Sequence, residues 1–205
     1  MNRLMRKVSA LMLTAAIAMG TVAPSFAANT KSPVTPVQPT QPTTPVQPTA
    51  DPVGTAVSGN DETTSTTITA VTIGDKTVAV TQATSKDTIE IPATITASNG
   101  KTYTVNVIKT GTITQKYLKA TLILNNTTTV EAQIAKSKQA RKTKKVVIKA
   151  AAGQKLTASQ FNKKAFKKFK GKIVVKKSAM TKKQFRKLKK KLRKGGFKGK
   201  IVYKK

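Results

Sequence analysis

Residues 132–205 carry 29 Lys or Arg and not one Asp or Glu. No side-chain ion pair can form inside that stretch, so its fold has to keep every cation at a surface and draw its cohesion from apolar contacts. The apolar residues available are Ile, Val, Leu and a few Phe, because aromatic residues make up 4% of the chain and Trp and Cys are absent. Disulfides therefore cannot stand in for a core. The rest of the chain is built differently. All seven acids, Asp51, Asp61, Glu62, Asp75, Asp87, Glu90 and Glu131, lie at or before residue 131, and seven lysines between residues 28 and 131 balance them. The formal net charge of +32 is thus concentrated at the C-terminal end.

Residues 1–27 carry the three parts of a secretory signal peptide. Arg3, Arg6 and Lys7 form a positive start, residues 8–20 are apolar, and Ser25-Phe26-Ala27 sets small residues at the −3 and −1 positions for cleavage before Ala28. The apolar stretch is too short to span a bilayer stably, which predicts export and no transmembrane segment after cleavage. A secreted, extracellular or cell-wall-associated protein follows, and its lack of cysteine suits a Gram-positive-type surface. Residues 28–65 read as a Pro/Thr-rich linker. Proline recurs at 33, 36, 39, 42, 45 and 48, the period of a polyproline II helix, so the segment is either an extended rod of roughly 55 Å or a flexible tether. Residues 54–64 continue it as polar chain.

Residues 66–131 form a neutral, β-rich part. TTITAVTI (66–73) and KTVAVTQ (76–82) flank Gly74-Asp75 and predict a hairpin. TIEIPATI (88–95) and KTYTVNVI (101–108) flank a turn containing Asn99-Gly100 and predict a second. ATLILNN (120–126) and KKVVIKA (144–150) predict further strands.

Residues 132–205 contain a repeat. LTASQFNKKAFKKFKGKIVVKK (156–177) and MTKKQFRKLKKKLRKGGFKGKIVYKK (180–205) share T-x-x-Q-F followed by GKIV-x-KK, with 24 residues between the first motifs and 28 between the second. Thr157 with Gln160, and Thr181 with Gln184, have capping-box spacing. Phe161, Ala165 and Phe169 fall on one helical stripe, as do Phe185, Leu188 and Leu192, and Gly171 or Gly195-Gly196 would end each helix. Such a helix–strand unit cannot bury its own apolar face and must stack on its neighbour. The expectation is a mixed α/β, β-rich fold whose hairpin-rich part grades continuously into strand–helix solenoid units. The chain resembles the bacterial surface leucine-rich-repeat proteins of BspA type through Ile89-Glu90-Ile91-Pro92, Asn99 to Val105 (NGKTYTV) and Ala165 to Lys170 (AFKKFK), over about residues 88–205. That resemblance implies a surface adhesion or interaction role without catalysis.

The densest charge lies in TKKQFRKLKKKLRK (181–194). Lys182, Lys183, Arg186, Lys187, Lys189, Lys190, Lys191, Arg193 and Lys194 are the candidate polyanion-binding residues. Six like-charged pairs four residues apart oppose this helix by about 1–3 kcal/mol at low salt, so apolar packing or a bound polyanion has to compensate. Lysine outnumbers arginine 26 to 3 in this part, which suits diffuse attraction to a polymer more than bidentate readout. The expected partner is an anionic cell-wall polymer such as wall teichoic acid, or a sulfated host glycan. The alternatives are a purely structural surface module with incidental lysines, extracellular nucleic-acid binding, a protein partner, or a helix lying on a membrane surface. Catalysis is not expected. There is no His and no Cys, so the commonest general base and the usual nucleophile and soft metal ligands are missing, and no cofactor or metal site is read.

Overall fold

A computed structural model describes residues 51–61 and 65–205; the segments read as a signal peptide and as the proline-rich part of a linker lie outside the described residues. Residues 56–61, read as tether, are a strand instead. Ala56–Asp61 (β1) pairs antiparallel with Thr66–Gly74 (β2) along its whole length, from Ala56↔Val71 to Asp61↔Thr66. Its composition alone is a poor strand signal; the edge of β2 supplies the partner, and Val57 supplies the buried contact. β2 turns through Asp75-Lys76, with Lys76 at φ +51°, into Thr77–Thr84 (β3), the hairpin the alternation predicts.

The second hairpin is split. Thr94–Thr96 (β5) and Thr102–Ile108 (β6) pair antiparallel around Gly100, which takes φ +77°. Thr88–Ile91 (β4), just upstream, belongs to a different sheet. Pro92 has no N–H to give a ladder, and the chain changes sheets there. The first sheet runs β1-β2-β3-β6-β5, and a bridge between Gly59 and Ala97 returns β5 to β1, so the sheet is nearly closed. A Cβ on Gly59 would lie 2.7 Å from the Thr96 carbonyl oxygen, which is why the seam needs glycine.

The second sheet is wholly parallel. Lys119–Leu124 (β7) pairs with β4; a two-residue strand, Thr129–Val130 (β8), extends the first sheet beside β6; then Lys145–Ala150 (β9), Lys172–Lys176 (β10) and Ile201–Lys204 (β11) follow in order. The order β11-β10-β9-β7-β4 means that each return of the chain adds one strand. Ile89, Ile91, Leu122, Leu124, Val146, Ile148, Ile173 and Val175 face inward, fully buried, and join Ile68, Val80, Val105 and Phe166 in one apolar cluster. Each such side chain contributes about 1.5–3 kcal/mol.

The strand–helix leucine-rich-repeat solenoid expected for the basic part is not the architecture. Among the described residues there are eleven strands and a single α-helix, Lys182–Lys194 (α1). In the first repeat the predicted helix shrinks to one 3-10 turn, Ala158–Gln160. The reason lies in the backbone. Asn162 N–H donates to the Val130 carbonyl, and the Lys164 and Ala165 carbonyls accept from Gln133 and Ile134, so groups a helix would pair internally are spent on the preceding turn of chain. Lys168 then takes φ +60°, which no α-helix accommodates. Only the second copy, with four more residues and Leu at 188 and 192, forms the helix.

Two exposed ion pairs tie down the neutral part. The Lys101 ammonium and the Tyr103 hydroxyl, both bonded to Asp51, hold its carboxyl below the usual range. Burial alone would raise Glu131, but the Thr110 amide and Lys109 outweigh it and bring it below the usual range too. Groups lowered on folding stabilise above their unfolded values, near 4, and lose that stabilisation as pH falls through their folded values. The melting temperature is therefore expected to be flat between pH 5 and 8, as far as these two groups set it, and to fall below about pH 4. Asp51→Asn should flatten part of the fall in a circular-dichroism melting series.

Candidate polyanion-binding site

Successive residues of a strand point to opposite faces of its sheet. In β9 the residues alternating with buried Val146 and Ile148 are Lys145, Val147 and Lys149; in β10 they are Lys172, Val174 and Lys176; in β11, Val202 and Lys204. The parallel register sets Lys145 beside Lys172, Val147 beside Val174, Val174 beside Val202, and Lys176 beside Lys204. On β7, Lys119, Thr121 and Ile123 continue the same arrangement. The outward face therefore carries two rows of cations, Lys119-Lys145-Lys172 and Lys149-Lys176-Lys204, with Thr121, Val147, Val174 and Val202 between them.

Neighbouring strands lie about 4.8 Å apart, and four residues of strand span about 13 Å. A linear anion lying across the strands would meet a cation at each rung from β7 to β11, and one on either side at β9 and β10. The groove between the rows has a volume of about 280 Å³. Its floor is formed by Thr121, Val147 and Val174, of which Thr121 and Val174 are buried; long lysine stems can lie along such a floor and leave their ammonium ends at the rim. Glu90, opposite Thr121 on the far strand β4, puts one carboxylate in line with the floor between the rows. Lys176 Nζ donates to the Lys205 carbonyl at 2.5 Å. Like charges directly opposite each other disfavour strand pairing, so the register holds these lysines together against their own repulsion.

The nine residues singled out from the sequence all fall on α1, but they do not act alike. Lys191 Nζ donates to the Ala158 and Ser159 carbonyls at 3.1 and 3.3 Å, and Arg193 donates to the Phe197 carbonyl at 3.1 Å while lying over the Phe197 ring. These two brace the helix against the body. Lys182, Lys183, Arg186, Lys187, Lys189, Lys190 and Lys194 are exposed. Leu188 and Leu192, fully buried, and Phe185, stacked on Tyr203 at 4.7 Å between centroids, supply the apolar packing that offsets the repulsion along the helix. Thr181 Oγ1 accepts from the Gln184 amide, and the cations of the last turn complement the helix dipole.

The sheet rows escaped the sequence reading. Their signal was the spacing K-x-x-x-K around each strand, Lys145 and Lys149, Lys172 and Lys176, Lys200 and Lys204, an even interval that puts both lysines on one face. Among the described residues no three His, Cys, Asp or Glu stand together as metal ligands, and no helix is long and apolar enough to cross a membrane. No family model, no curated protein and no solved structure matches the chain. The likeness to bacterial leucine-rich-repeat surface proteins therefore rests on its short motifs alone, and the site has to be read from its own chemistry.

Proposed function

We propose that this is a secreted, non-enzymatic interaction protein that holds linear polyanions of the cell wall, such as wall teichoic acid, across the outer face of its parallel sheet. The observation that carries the reading is the pair of in-register lysine rows flanking Thr121, Val147 and Val174, with Glu90 on β4 the one carboxylate beside them. The exposed cations of α1 add a second, less ordered field of the same sign, which steers anions toward the protein. Export follows from the tripartite N-terminal segment, and outside a cell such polymers are the abundant partners for fixed positive charge. Nucleic acid satisfies the same electrostatics less well. Base stacking needs free aromatic faces, whereas Phe185 and Tyr203 are occupied with each other, and Tyr203 donates its hydroxyl to the Met180 carbonyl at 2.7 Å.

Retention of the full chain on purified cell wall, and on immobilised polyphosphate and heparin, tests this directly. Binding is expected at about 0.1 M NaCl with release at a few hundred millimolar, the behaviour of contacts made by counterion displacement. No retention at about 0.05 M NaCl would leave the lysines as mere surface solvation and end the proposal.

A further inference from the structure

Arg141, Lys168 and Gly196 hold equivalent places in three successive turns. Four residues before the paired Lys145 and Lys172 stand Arg141 and Lys168; five before the paired Ile173 and Ile201 stand Lys168 and Gly196. These turns lead into β9, β10 and β11, and a groove of about 770 Å³ lies along them. Lys138, Arg141, Lys142, Lys168, Lys170 and Lys198 line it beside Phe169, with no carboxylate. Two features separate this groove from an ordinary lysine-covered surface. Arg141 Nε is buried and meets no hydrogen-bond partner among the described residues, a state that buried polar groups rarely keep unless something else supplies the acceptor. Lys168 takes φ +60° where its counterpart Gly196 takes φ +92°. Glycine enters that region freely and lysine does not, so a cation is kept at a strained backbone position beside five others.

We infer that this groove binds the phosphate group of a phosphate monoester carried on a sugar-sized body. A dianion answers a cluster of cations better than a singly charged ester. The guanidinium fork of Arg141 suits two phosphate oxygens, with Nε among the donors. A volume in the range of small-molecule sites leaves room for the rest of the ligand beside Phe169 and the lysine stems. The site uses none of the sheet-face lysines, so it stands or falls apart from the polymer reading.

The test is calorimetric titration of the full chain with glucose 6-phosphate, glucose 6-sulfate and glucose at about 0.15 M NaCl, a salt level at which diffuse attraction is screened. Saturable binding of the phosphate ester is expected, with the sulfate ester weaker by roughly tenfold and glucose inert. Lys168→Gly should move two readouts in opposite directions. Relief of the left-handed strain raises the melting temperature by about 2 °C, while affinity for the phosphate ester falls roughly tenfold. Arg141→Lys keeps the charge but loses the fork, and a similar fall is expected. The variant Lys145→Gln/Lys149→Gln/Lys172→Gln/Lys176→Gln should bind glucose 6-phosphate as the wild type does. Equal affinity in wild type, Lys168→Gly and Arg141→Lys, each shown folded by its melting curve, overturns the assignment, as does the absence of saturable binding up to about 10 mM, a weaker affinity than a formed site would give.

Discussion

Replacing Gly195 with alanine is expected to cost the fold about 3–5 kcal/mol and to lower its melting temperature by roughly 10 °C. Backbone dihedrals give no hint of this. Gly195 sits at φ −80° and ψ 0°, which any residue adopts. The obstacle is space: a Cβ there would lie 1.6 Å from the Lys163 carbonyl oxygen and 2.3 Å from its carbon, and neither is a flexible side-chain end that could step aside. The end of α1 would have to retreat by more than an ångström from the preceding turn of chain. That retreat carries Phe197 with it, since the Phe197 amide is bonded to the Leu192 carbonyl and its ring, fully buried, packs against Phe166 and Phe169. Loosening a buried phenyl ring approaches the cost of deleting it. Gly196 is the control. It takes φ +92°, and a Cβ there would meet only the flexible Lys167 side chain at an ordinary 3.7 Å, so Gly196→Ala should cost only about 1 kcal/mol of backbone strain. Thermal melting of the two variants is expected to rank them in the order opposite to dihedral reasoning. If Gly195→Ala melts within 2 °C of the wild type, α1 does not approach the 163 turn as closely as described.

The contrast between these glycines shows where sequence reading reaches and where it stops. Gly100 was legible because Asn99-Gly100 between alternating strands has a local meaning, and so was the β2–β3 hairpin. Gly195 is needed only because a segment 32 residues earlier passes against it, and no local pattern encodes that. The capping residues show the same divide. Gln160 does reach back to the Thr157 amide, at 2.8 Å, as its spacing predicts. Its amide group then satisfies the Asn125 and Thr128 carbonyls, and Gln184 accepts from Ala158 rather than from its own helix start. Side chains read as local helix devices also bind one turn of chain to the next. Phe161, Ala165 and Phe169 are buried as their apolar character requires, yet they reach the core from irregular backbone. The period of three and four marked which residues go inside and misjudged the conformation, because hydrogen bonds to the preceding turn of chain outcompeted helical ones. For the candidate site, the density of charge pointed to α1, whereas order among charges came from the parallel register, a non-local property that a single sequence displays only as a recurring K-x-x-x-K.

Neutralising Lys145, Lys149, Lys172 and Lys176 together, each to glutamine, is expected to weaken polyanion binding roughly a thousandfold at 0.1 M salt. The figure follows from counterion release. A contact that displaces one condensed cation contributes about 0.7–0.9 to the slope of log K against log salt, so each is equivalent to nearly tenfold at 0.1 M, and four removed contacts lower the slope by about 3. The matched variant removes the same number of charges from α1, at Lys182, Lys187, Lys189 and Lys194, all exposed and set in two directions around the helix. Because those cations project in two directions, a single extended chain cannot meet all of them at once, and the expected change in slope is about 1 to 2. Net charge falls equally in both proteins, so a difference between them reports arrangement and not total charge. The sheet variant should also melt at a higher temperature than the wild type, because the in-register pair Lys145↔Lys172 no longer repels, and opposed like charges across strands destabilise by up to about 1 kcal/mol. A protein that becomes more stable as it loses its ligand has kept those lysines at a cost to its fold. Equal slopes for the two variants would instead make binding a matter of bulk charge, and the rows on the sheet would carry no special role.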